Sequence, residues 1–538
     1  MTDASENASG NTSGTQPGDD AVNEALDAAL AQGMALAYHA ANQGDRLALA
    51  TEFGNRTFRE LNGRTNQLVR LLRDRGIGAG DAIAVVSRNR PEFIEGLAAA
   101  LRNGIRFTPV NFHLTAEEAG YVIDNCEAKA VIYDAGLGTG SDAVNHAQNC
   151  SLKLAVGGSI DGFEDYETAI AGFDVSDIDN PVRGSTMLYT SGTTGRPKGV
   201  YRKEQPVARS NAQAASAGGP GAVNLCTGPA YHAAPLVFNV TSPMNAGAAI
   251  VMMDRWDPEE TLRLIEKYGV THTHMVATMF HRLLQLPEDV RSRYDTSSLK
   301  FIVHGAAPCP VHVKHAIIEW FGPIVSEYYA ATEGGGNFFI DAHTWLQKPG
   351  SVGKTPNPDG TKIVDDNGTE LPLGETGFIY FKAPEVGRFE YFKAPEKTNE
   401  SYDGDWFTLG DMGYLDEDGY LFLNGRSAET IISGGVNIYP QEVDAALLEH
   451  VAVLDVCTVG VPNDEWGEEV KAVVQLAEGF NPSDDLANAI IGHGRDRLAG
   501  FKCPRSVDFV DDLPRLPSGK IQRRLVRAPY WEGRDRQI

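Results

Sequence analysis

The sequence predicts an α/β protein of several domains. Helical patterns such as residues 60–76 alternate with short apolar runs such as residues 82–87 and 129–133. Apolar runs of that length, bounded by Gly, Asp or Asn, are typical of buried strands, and their alternation with helices indicates a wound sheet. The chain has 538 residues, whereas a single core stops growing at about 250 to 300 residues. Because the pattern recurs at residues 259–276 and 299–308, we predict two wound α/β subdomains.

The pattern changes twice further along the chain. Between residues 350 and 424, short apolar runs are separated by Asp-Asn-Gly and Glu-Asp-Gly. Both tripeptides favour hairpin turns, so we predict a small β-rich subdomain. From residue 425 the chain has an α/β pattern of its own, and we predict an N-terminal domain over residues 21–424 and a C-terminal domain over residues 425–538. Residues 1–20 are small, polar and acidic, which predicts a disordered tail.

One hexapeptide, YFKAPE, occurs twice within the β-rich segment, at residues 380–385 and 391–396. Two copies are too few for a repeat architecture. We interpret the pair as a coincidence or an altered loop.

The composition argues against several classes of partner. The chain has 72 acidic and 47 basic side chains and a net charge of −25, which disfavours nucleic acid or anionic lipid as a general partner. The six cysteines are far apart and form no C-x-x-C pair, so no transition-metal site is predicted. The sequence lacks a signal peptide and any apolar run of about 18 to 20 residues, and we expect a cytoplasmic protein without a membrane segment. The sequence leaves open whether the protein forms a homodimer.

The glycine-rich stretch YTSGTTGRPKGV, residues 189–200, has the residue types of a phosphate-binding loop. Its glycines let backbone N–H groups converge on one point, hydroxyls add donors, and Lys198 adds positive charge. The Walker motif needs Ser or Thr directly after its Gly-Lys pair, whereas here Pro197 precedes Lys198 and Gly199 follows it. The residues predicted to contact phosphate are Thr190, Ser191, Gly192, Thr193, Thr194, Gly195 and Lys198.

This loop resembles the phosphate-binding signature of the adenylate-forming enzymes, which include acyl- and aryl-CoA ligases, firefly luciferase and the adenylation domains of peptide synthetases. Four further segments resemble other motifs of that family, in the same order. They are YYAATEGGG at residues 328–336, FTLGDMG at 407–413, GRSAETIISGGVNIYPQEVD at 425–444 and LPRLPSGKIQRR at 513–524. The resemblance extends from about residue 45 to about residue 527. It implies a large N-terminal domain of two α/β subdomains plus a β-barrel-like subdomain, followed by a small, mobile α+β domain.

The resemblance assigns roles in a first half-reaction, in which a carboxylate and ATP give an acyl-adenylate and pyrophosphate. Thr332 is expected to bind the α-phosphate, and Glu333, a hard oxygen ligand, to bind Mg²⁺ bridged to the ATP phosphates. Asp411 is expected to accept hydrogen bonds from the ribose hydroxyls, with Arg426 as a second ribose or phosphate contact. Lys520 is expected to be the catalytic lysine, because its charge can stabilise the transition state of attack on phosphorus. The other implied contacts are Gly305, Ala306, Ala307, Tyr328 and Tyr329 for the nucleotide and Thr194 as a second metal ligand.

The resemblance also implies a site for the acid. In the segment GPAYHAAPLVFN, residues 228–239, His232 is expected to border the carboxylate as a catalytic gate or positioning residue, and Phe238 to line the acyl pocket. Small residues expected to leave space for the acyl group include Ala306, Ala330 and Gly334. We expect an apolar acid, either a medium- or long-chain fatty acid or a bulky aryl or alicyclic acid.

For the second half-reaction, the resemblance implies that the C-terminal domain rotates and brings a glycine-rich loop toward the pantetheine of coenzyme A. Ser433, Gly434 and Gly435 form that loop. One position departs from the family's pattern, because the hinge residue that is often Asp or Lys is Ala428 here. The pivot of the rotation therefore lacks that charged side chain.

We therefore expect a ligase that uses ATP, Mg²⁺ and coenzyme A to activate a small carboxylic acid, with no nucleic acid partner. Three alternatives stay open: an adenylation enzyme that loads a separate carrier protein, a luciferase-like oxygenase, and a catalytically impaired nucleotide-binding regulator. Only Ala428 suggests the last of these. The motifs do not identify the acid, since pocket shape depends on backbone placement.

Overall fold

The computed structural model describes residues 17–147, 149–190, 197–203, 211–433, 436–463, 466–516 and 519–532. Within them the strands, in chain order, are β1 Leu47–Thr51, β2 Gly54–Thr57, β3 Ala82–Val86, β4 Arg106–Val110, β5 Ala128–Asp134, β6 Leu152–Val156, β7 Glu164–Asp165, β8 Ser185–Thr186, β9 Leu188–Thr190, β10 Lys198–Tyr201, β11 Val223–Cys226, β12 Ala249–Met252, β13 His272–Met275, β14 Phe301–His304, β15 Val325–Ala331, β16 Gly334–Ile340, β17 Ser351–Gly353, β18 Thr361–Val364, β19 Gly377–Lys382, β20 Glu390–Tyr391, β21 Tyr402–Asp403, β22 Trp406–Leu415, β23 Leu421–Arg426, β24 Ile431–Ser433, β25 Val436–Ile438, β26 Val453–Asn463, β27 Gly467–Leu476 and β28 Ser506–Val510. The α-helices are α1 Pro17–Ala31, α2 Ala35–Gln43, α3 Phe58–Asp74, α4 Pro91–Arg102, α5 Ala116–Asn125, α6 Gly140–Val144, α7 Tyr166–Ala171, α8 Asn211–Ala217, α9 Ser242–Ala246, α10 Pro258–Tyr268, α11 Ala277–Leu284, α12 Glu288–Arg291, α13 Val311–Phe321, α14 Ala342–Gln347, α15 Pro395–Glu400, α16 Pro440–Leu447, α17 Asp484–Arg495 and α18 Arg523–Arg527.

The N-terminal domain contains two largely parallel sheets. The larger has the order β16-β15-β14-β13-β11-β12-β1-β2, with its two edge strands, β2 and β16, antiparallel to their neighbours. The smaller has the order β7-β6-β5-β3-β4-β8, and all of its pairings are parallel. Helices connect the strands, as in other wound sheets. The prediction of two wound α/β subdomains is confirmed.

Local sequence determines where several helices begin. The side chain of Thr57 accepts a hydrogen bond from the backbone N–H of Glu60, and the side chain of Glu60 accepts one from the backbone N–H of Thr57. Thr115 and Glu118 make the same reciprocal pair at the start of α5. Such capping boxes satisfy two backbone donors that a helix start otherwise leaves unpaired. The sequence therefore specifies the starts of α3 and α5 without tertiary contacts.

The core is continuous across the two sheets. Leu49 and Ile250 of the larger sheet and Ile83 and Leu154 of the smaller sheet belong to one cluster of buried side chains. Burial of each such side chain contributes roughly 1.5 to 3 kcal/mol. The two sheets are therefore packed as one unit.

Three smaller sheets complete the described structure. Strands β9, β10 and β20 form an antiparallel sheet with β10 in the centre. The predicted β-rich subdomain is an antiparallel sheet of order β17-β23-β22-β19-β18, with β21 paired to β22 and β17 and β18 at its edges. The C-terminal domain is built on β24 to β28, with α16 and α17 packed on the sheet's buried face.

The predicted tail and domain boundary stay predictions. The first described element is helix α1, Pro17–Ala31, and residues 1–16 of the predicted tail lie outside the described residues. The predicted domain boundary at Gly425 falls within β23. Of the helices described, none is long and apolar enough to cross a bilayer.

Candidate active site

A cavity of about 590 Å³ lies at the carboxyl ends of the parallel strands β11, β13, β14 and β15. In open α/β sheets, ligands bind at this edge. Pro109 and Val110, at the end of β4, also line the cavity, and Leu516 and Lys520 line it from the C-terminal domain. Its volume is typical of small-molecule sites, which span about 300 to 1,000 Å³. Both sheets and both domains therefore contribute to one site.

Of the 17 predicted site residues that the structure describes, 12 line this cavity. Those that line it are Thr190, Lys198, His232, Phe238, Ala306, Ala307, Tyr328, Ala330, Thr332, Glu333, Arg426 and Lys520. A second cavity of about 120 Å³, which shares Ala306, Tyr328 and Lys520 with the first, adds Gly305, Tyr329 and Asp411. Seven predicted residues lie outside the described residues: Ser191, Gly192, Thr193, Thr194, Gly195, Gly434 and Gly435.

Two predicted residues, both described, line neither cavity. Gly334, the first residue of β16, is expected to leave space for the acyl group; a Cβ built there would lie 3.5 Å from Arg202 Nη2 and 4.0 Å from Phe407 Cζ. Its role stays a prediction. Ser433 pairs with Val436 and Gly467 inside the sheet of the C-terminal domain.

The described ends of the glycine-rich loop are paired strands. Thr190 in β9 lies opposite Lys198 in β10, and Tyr189 lies opposite Gly199. The Lys198 ammonium lies 5.0 Å from the centroid of the Tyr391 ring. The two ends of the loop are therefore held together at the cavity wall.

Thr332 and Glu333 form the turn between β15 and β16. Arg202 Nη2 donates a hydrogen bond to the Thr332 carbonyl oxygen at 3.1 Å, and Tyr391 Oη donates one to Glu333 Oε1 at 3.0 Å. Within the described part of the chain, no group of three or more His, Cys, Asp or Glu side chains could hold a metal ion. A single carboxylate facing a ligand cavity fits Mg²⁺, which usually binds through one or two carboxylates plus substrate phosphates.

Asp411 is held by two donors at the edge of the second cavity. It lies opposite Arg426 across β22 and β23, and Arg426 Nε donates to Asp411 Oδ1 at 2.9 Å. Tyr329 Oη donates to Asp411 Oδ2 at 2.7 Å. Burial and the Asp411 charge raise the pKa of Tyr329 well above its usual value, so its hydroxyl stays protonated as a donor. Both carboxylate oxygens are thus oriented, and each can still accept another hydrogen bond.

Lys520 belongs to the C-terminal domain and lines both cavities. The Leu516 N–H donates to the Lys520 carbonyl oxygen at 2.8 Å, and the Gly519 N–H donates to the Leu516 carbonyl oxygen at 2.8 Å. Gly519 has a φ of 84°, which favours glycine. Burial, and then the nearby Arg426 charge, lower the pKa of Lys520, while Glu429 and Asp411 act in the opposite direction.

Apolar side chains line the cavity around Phe238, among them Val237, Val276 and Met279. Phe238 lies on a π-helical turn, Pro235–Thr241, and packs on Tyr328 with ring centroids 4.5 Å apart. Such turns occur frequently at functional sites. His232 Nε2 is buried without a hydrogen-bond partner among the described residues. Burial lowers the pKa of His232 to about 4, so the ring is neutral near pH 7.

Sequence reasoning missed three residues that the structure brings to the site. His274 lines the cavity and stacks on Phe238, with ring centroids 5.5 Å apart and planes 7° apart. Arg202 and Tyr391 contact the Thr332–Glu333 turn. Tyr391 opens the second YFKAPE copy, so the repeat was a signal for it, whereas Arg202 and His274 belong to no recognised motif.

The cavity thus lies at the strand ends of a wound sheet, and Lys520 of the C-terminal domain is part of its wall. The chain matches the family model described as AMP-binding enzyme over residues 36–389. It also matches the AMP-binding enzyme C-terminal domain over residues 442–520. The chain therefore belongs to the AMP-binding enzymes, the adenylate-forming superfamily.

Several relatives are ligases that join an acid to a thiol. A fatty acid–[acyl-carrier-protein] ligase of Streptomyces coeruleorubidus is 30% identical over 520 residues, 93% of this chain and 97% of that protein. A feruloyl-CoA synthase of Amycolatopsis sp. is 31% identical over 484 residues, 88% of this chain and 94% of that protein. A medium/long-chain-fatty-acid–CoA ligase of Mycobacterium tuberculosis is 29% identical over 500 residues, 89% of this chain and 86% of that protein.

Solved structures share the whole fold. An anthranilate CoA ligase in complex with anthranoyl-AMP has a TM-score of 0.82 at 24% identity, covering 93% of this chain and 97% of that chain. An o-succinylbenzoate CoA synthetase from Bacillus subtilis, in complex with its acyl-adenylate intermediate, has a TM-score of 0.74 at 25% identity. The match covers 91% of this chain and 97% of that chain. The predicted fold class, with a large N-terminal and a small C-terminal domain, is confirmed.

Proposed function

We propose that this enzyme activates an apolar carboxylic acid with ATP and transfers the acyl group to the thiol of coenzyme A. One observation carries the proposal: Lys520, from the C-terminal domain, lines the same cavity as Thr332, Glu333 and the acyl-side residue His232. In this proposal, Thr332 and Glu333 would face the phosphates, His232 would face the acid, and Lys520 would supply a cation in the same cavity.

In the first step a carboxylate oxygen attacks the α-phosphorus of ATP, and the bond to the β-phosphate oxygen breaks to release pyrophosphate. The Lys520 ammonium would stabilise the negative charge that develops on the α-phosphoryl oxygens, where a preorganised cation is most effective. The Thr332 hydroxyl would donate a hydrogen bond to an α-phosphate oxygen. Bound Mg²⁺, held by Glu333, would neutralise charge on the phosphates of ATP.

The nucleoside end of ATP would bind beside Asp411. The two carboxylate oxygens of Asp411, oriented by Tyr329 and Arg426, can accept hydrogen bonds from the ribose hydroxyls. Gly305, Ala306 and Ala307, which follow β14, would contact the adenine. These roles are proposals that the contacts support.

The acid would bind on the apolar side of the cavity. His232 is neutral at pH 7 and carries no fixed charge to attract the carboxylate, so it would act through hydrogen bonding and shape. The wall of the cavity there includes the apolar side chains of Val276, Met279 and Phe238. Such a wall favours an acid with a fatty, aryl or alicyclic group over acetate.

In the second step the thiol sulfur attacks the acyl carbon, AMP leaves and the thiol proton is lost. We propose free coenzyme A as the acceptor, reached after the C-terminal domain rotates and brings the loop containing Ser433 to the site. A carrier-protein thiol is a second candidate, because a relative at 30% identity is a fatty acid–[acyl-carrier-protein] ligase.

Product identity tests the proposal. We expect incubation with ATP, Mg²⁺, coenzyme A and a panel of fatty, aryl and alicyclic acids to release AMP and pyrophosphate in equal amounts with one acid class. Replacing coenzyme A by a phosphopantetheinylated carrier protein separates the two acceptors. Release of ADP, or no acid-dependent pyrophosphate with any panel member, would overturn the proposal.

A further inference from the structure

We propose that Tyr391 is a positioning residue that holds Glu333 and Lys198 in the geometry required to bind the metal–triphosphate group. The inference rests on the proposed function, in which Glu333 binds Mg²⁺ and Lys198 contacts phosphate. The inference also assigns a role to the second YFKAPE copy, because Tyr391 is its first residue.

The backbone of Tyr391 is anchored to the base of the glycine-rich loop. In the β20–β10 pairing, Tyr391 lies opposite Val200, and the N–H of the next residue, Phe392, donates to the Gly199 carbonyl oxygen at 2.8 Å. The Tyr391 N–H donates to Thr398 Oγ1 at 2.9 Å. Because hydrogen bonds hold the backbone on both sides, the position of the phenol ring is set by the sheet and not by a free loop.

The Tyr391 side chain contacts both groups. Its hydroxyl donates to Glu333 Oε1 at 3.0 Å, and its ring centroid lies 5.0 Å from the Lys198 ammonium. A cation over an aromatic face at that distance is attracted to the ring. One rigid side chain therefore orients an anionic and a cationic group at the phosphate end of the cavity, and Tyr391 itself lines that cavity.

The residues after Tyr391 attach the second copy to the smaller α/β sheet. The Phe392 ring lies edge-to-face on Tyr201, with centroids 5.5 Å apart, and the Arg106 guanidinium lies 4.7 Å from its centroid. Lys393 Nζ pairs with Glu127 Oε1 at 2.9 Å. Identical residue types in the first copy lie elsewhere: Tyr380 belongs to β19 of the β-rich sheet, and its ring centroid is 5.8 Å from Lys362 Nζ.

The chemical consequence concerns the Glu333 carboxylate. Hydrogen bonds from outside the ligand set orient a carboxylate that binds a metal, and losing one typically costs about 10- to 100-fold in metal affinity or activity. The Tyr391 bond uses Oε1 and leaves Oε2 as the ligand for Mg²⁺. Without the bond, the side chain would sample rotamers that do not face the phosphates.

The test compares Tyr391→Phe, Tyr391→Leu and the matched control Tyr380→Phe, which removes the equivalent hydroxyl of the first copy. Binding of Mn²⁺ with ATP, in the absence of any acid, is measured from free Mn²⁺ by electron paramagnetic resonance. ATP binding in excess chelator is measured by calorimetry, and thermal unfolding confirms that each variant is folded.

We expect Tyr391→Phe to weaken Mn²⁺–ATP binding by about 10-fold and to leave metal-free ATP binding unchanged, because the ring still contacts Lys198. Tyr391→Leu should weaken both, and Tyr380→Phe neither. In a Glu333→Gln background, Tyr391→Phe should have no further effect. Wild-type Mn²⁺–ATP affinity in folded Tyr391→Phe, or an equal loss in Tyr380→Phe, would overturn the inference. If the wild type binds Mn²⁺–ATP but releases ADP, the proposed function fails while these binding data still decide the role of Tyr391.

Discussion

His281 Nε2 lies 2.8 Å from the backbone oxygen of Leu454 and donates a hydrogen bond to it. His281 belongs to α11 of the N-terminal domain and Leu454 to β26 of the C-terminal domain, so the bond joins the two domains in the arrangement in which Lys520 lines the cavity. A second contact, His312 Nδ1 to Glu449 Oε1 at 3.7 Å, lies on the same interface and is more exposed.

We expect His281→Ala to slow adenylate formation by about fivefold, because one hydrogen bond contributes about 1 kcal/mol to this domain arrangement. Thioester formation from preformed acyl-adenylate should not slow, since in the proposed mechanism that step follows rotation of the C-terminal domain. Single-turnover measurements of the two half-reactions check this. His312→Ala serves as control with a smaller effect, and an equal loss in both half-reactions would contradict the prediction.

Lys520→Ala should reduce adenylate formation by about 100- to 1,000-fold, the usual cost of removing a group that stabilises transition-state charge. ATP should still bind, because Thr332, Asp411 and the loop remain. Pyrophosphate release and calorimetric ATP binding measure the two effects. Arg524→Ala, an exposed cation on the following helix, is the matched control; loss of ATP binding in Lys520→Ala would argue for a binding role alone.

As pH rises, the adenylation rate should begin to fall at a lower pH than it would if Lys520 had the usual pKa of a lysine. Burial and Arg426 lower the pKa of Lys520, and only the ammonium form carries the charge that the step requires. As pH rises through this lowered pKa, the charge is lost. Lys520→Arg should move the alkaline decline to higher pH, because the guanidinium stays charged. Identical declines in both proteins would assign the decline to another group.

Asp411→Asn should raise the KM for ATP by about 10- to 100-fold. Hydrogen bonds to charged groups contribute about 1.5 to 3 kcal/mol, and each 1.4 kcal/mol is about tenfold in affinity. The substitution also leaves Arg426 without its ionic partner. Steady-state kinetics with varied ATP measure the change. Asp416→Asn, which removes a surface partner of Lys348, should leave the KM unchanged.

His274→Gln should reduce the acid sensitivity of folding. Burial lowers the pKa of His274 from 6.5 to about 3. Between these two values the unfolded chain binds a proton that the folded protein does not, so stability falls as pH drops through this window. Urea unfolding midpoints at pH 7 and pH 5 should therefore differ less in the variant. His343→Gln, at an exposed position, should keep the wild-type pH dependence.

The sequence predicted the parts of this enzyme that depend on local pattern. The apolar runs at residues 82–87 and 129–133 and the helical pattern at residues 60–76 correspond to β3, β5 and α3. Helix α3 begins two residues before the predicted pattern, after the capping residue Thr57. The resemblance to the adenylate-forming enzymes implied that Thr332, Glu333 and Lys520 would meet, and they line one cavity although they are far apart in the chain. Their roles remain predictions.

What the sequence could not predict depends on contacts between distant residues. Tyr391 reaches Glu333 only because β20 pairs with β10, and the hexapeptide that contains it is identical to one that forms part of a different sheet. Six identical residues thus have two environments, which local chemistry cannot distinguish. The bond from Tyr329 to Asp411 likewise joins β15 to β22.

Arg426 is the last residue of β23, and the turn Ser427–Glu429 that leads into the C-terminal domain follows it directly. Its side chain binds Asp411, while its carbonyl oxygen accepts a hydrogen bond from the Thr430 N–H at 3.1 Å. If Arg426 and Asp411 bind the ribose as proposed, departure of AMP removes a contact two residues from the expected pivot at Ala428. Product release and domain reorientation would then be kinetically coupled, so that each catalytic cycle resets the enzyme for the next ATP.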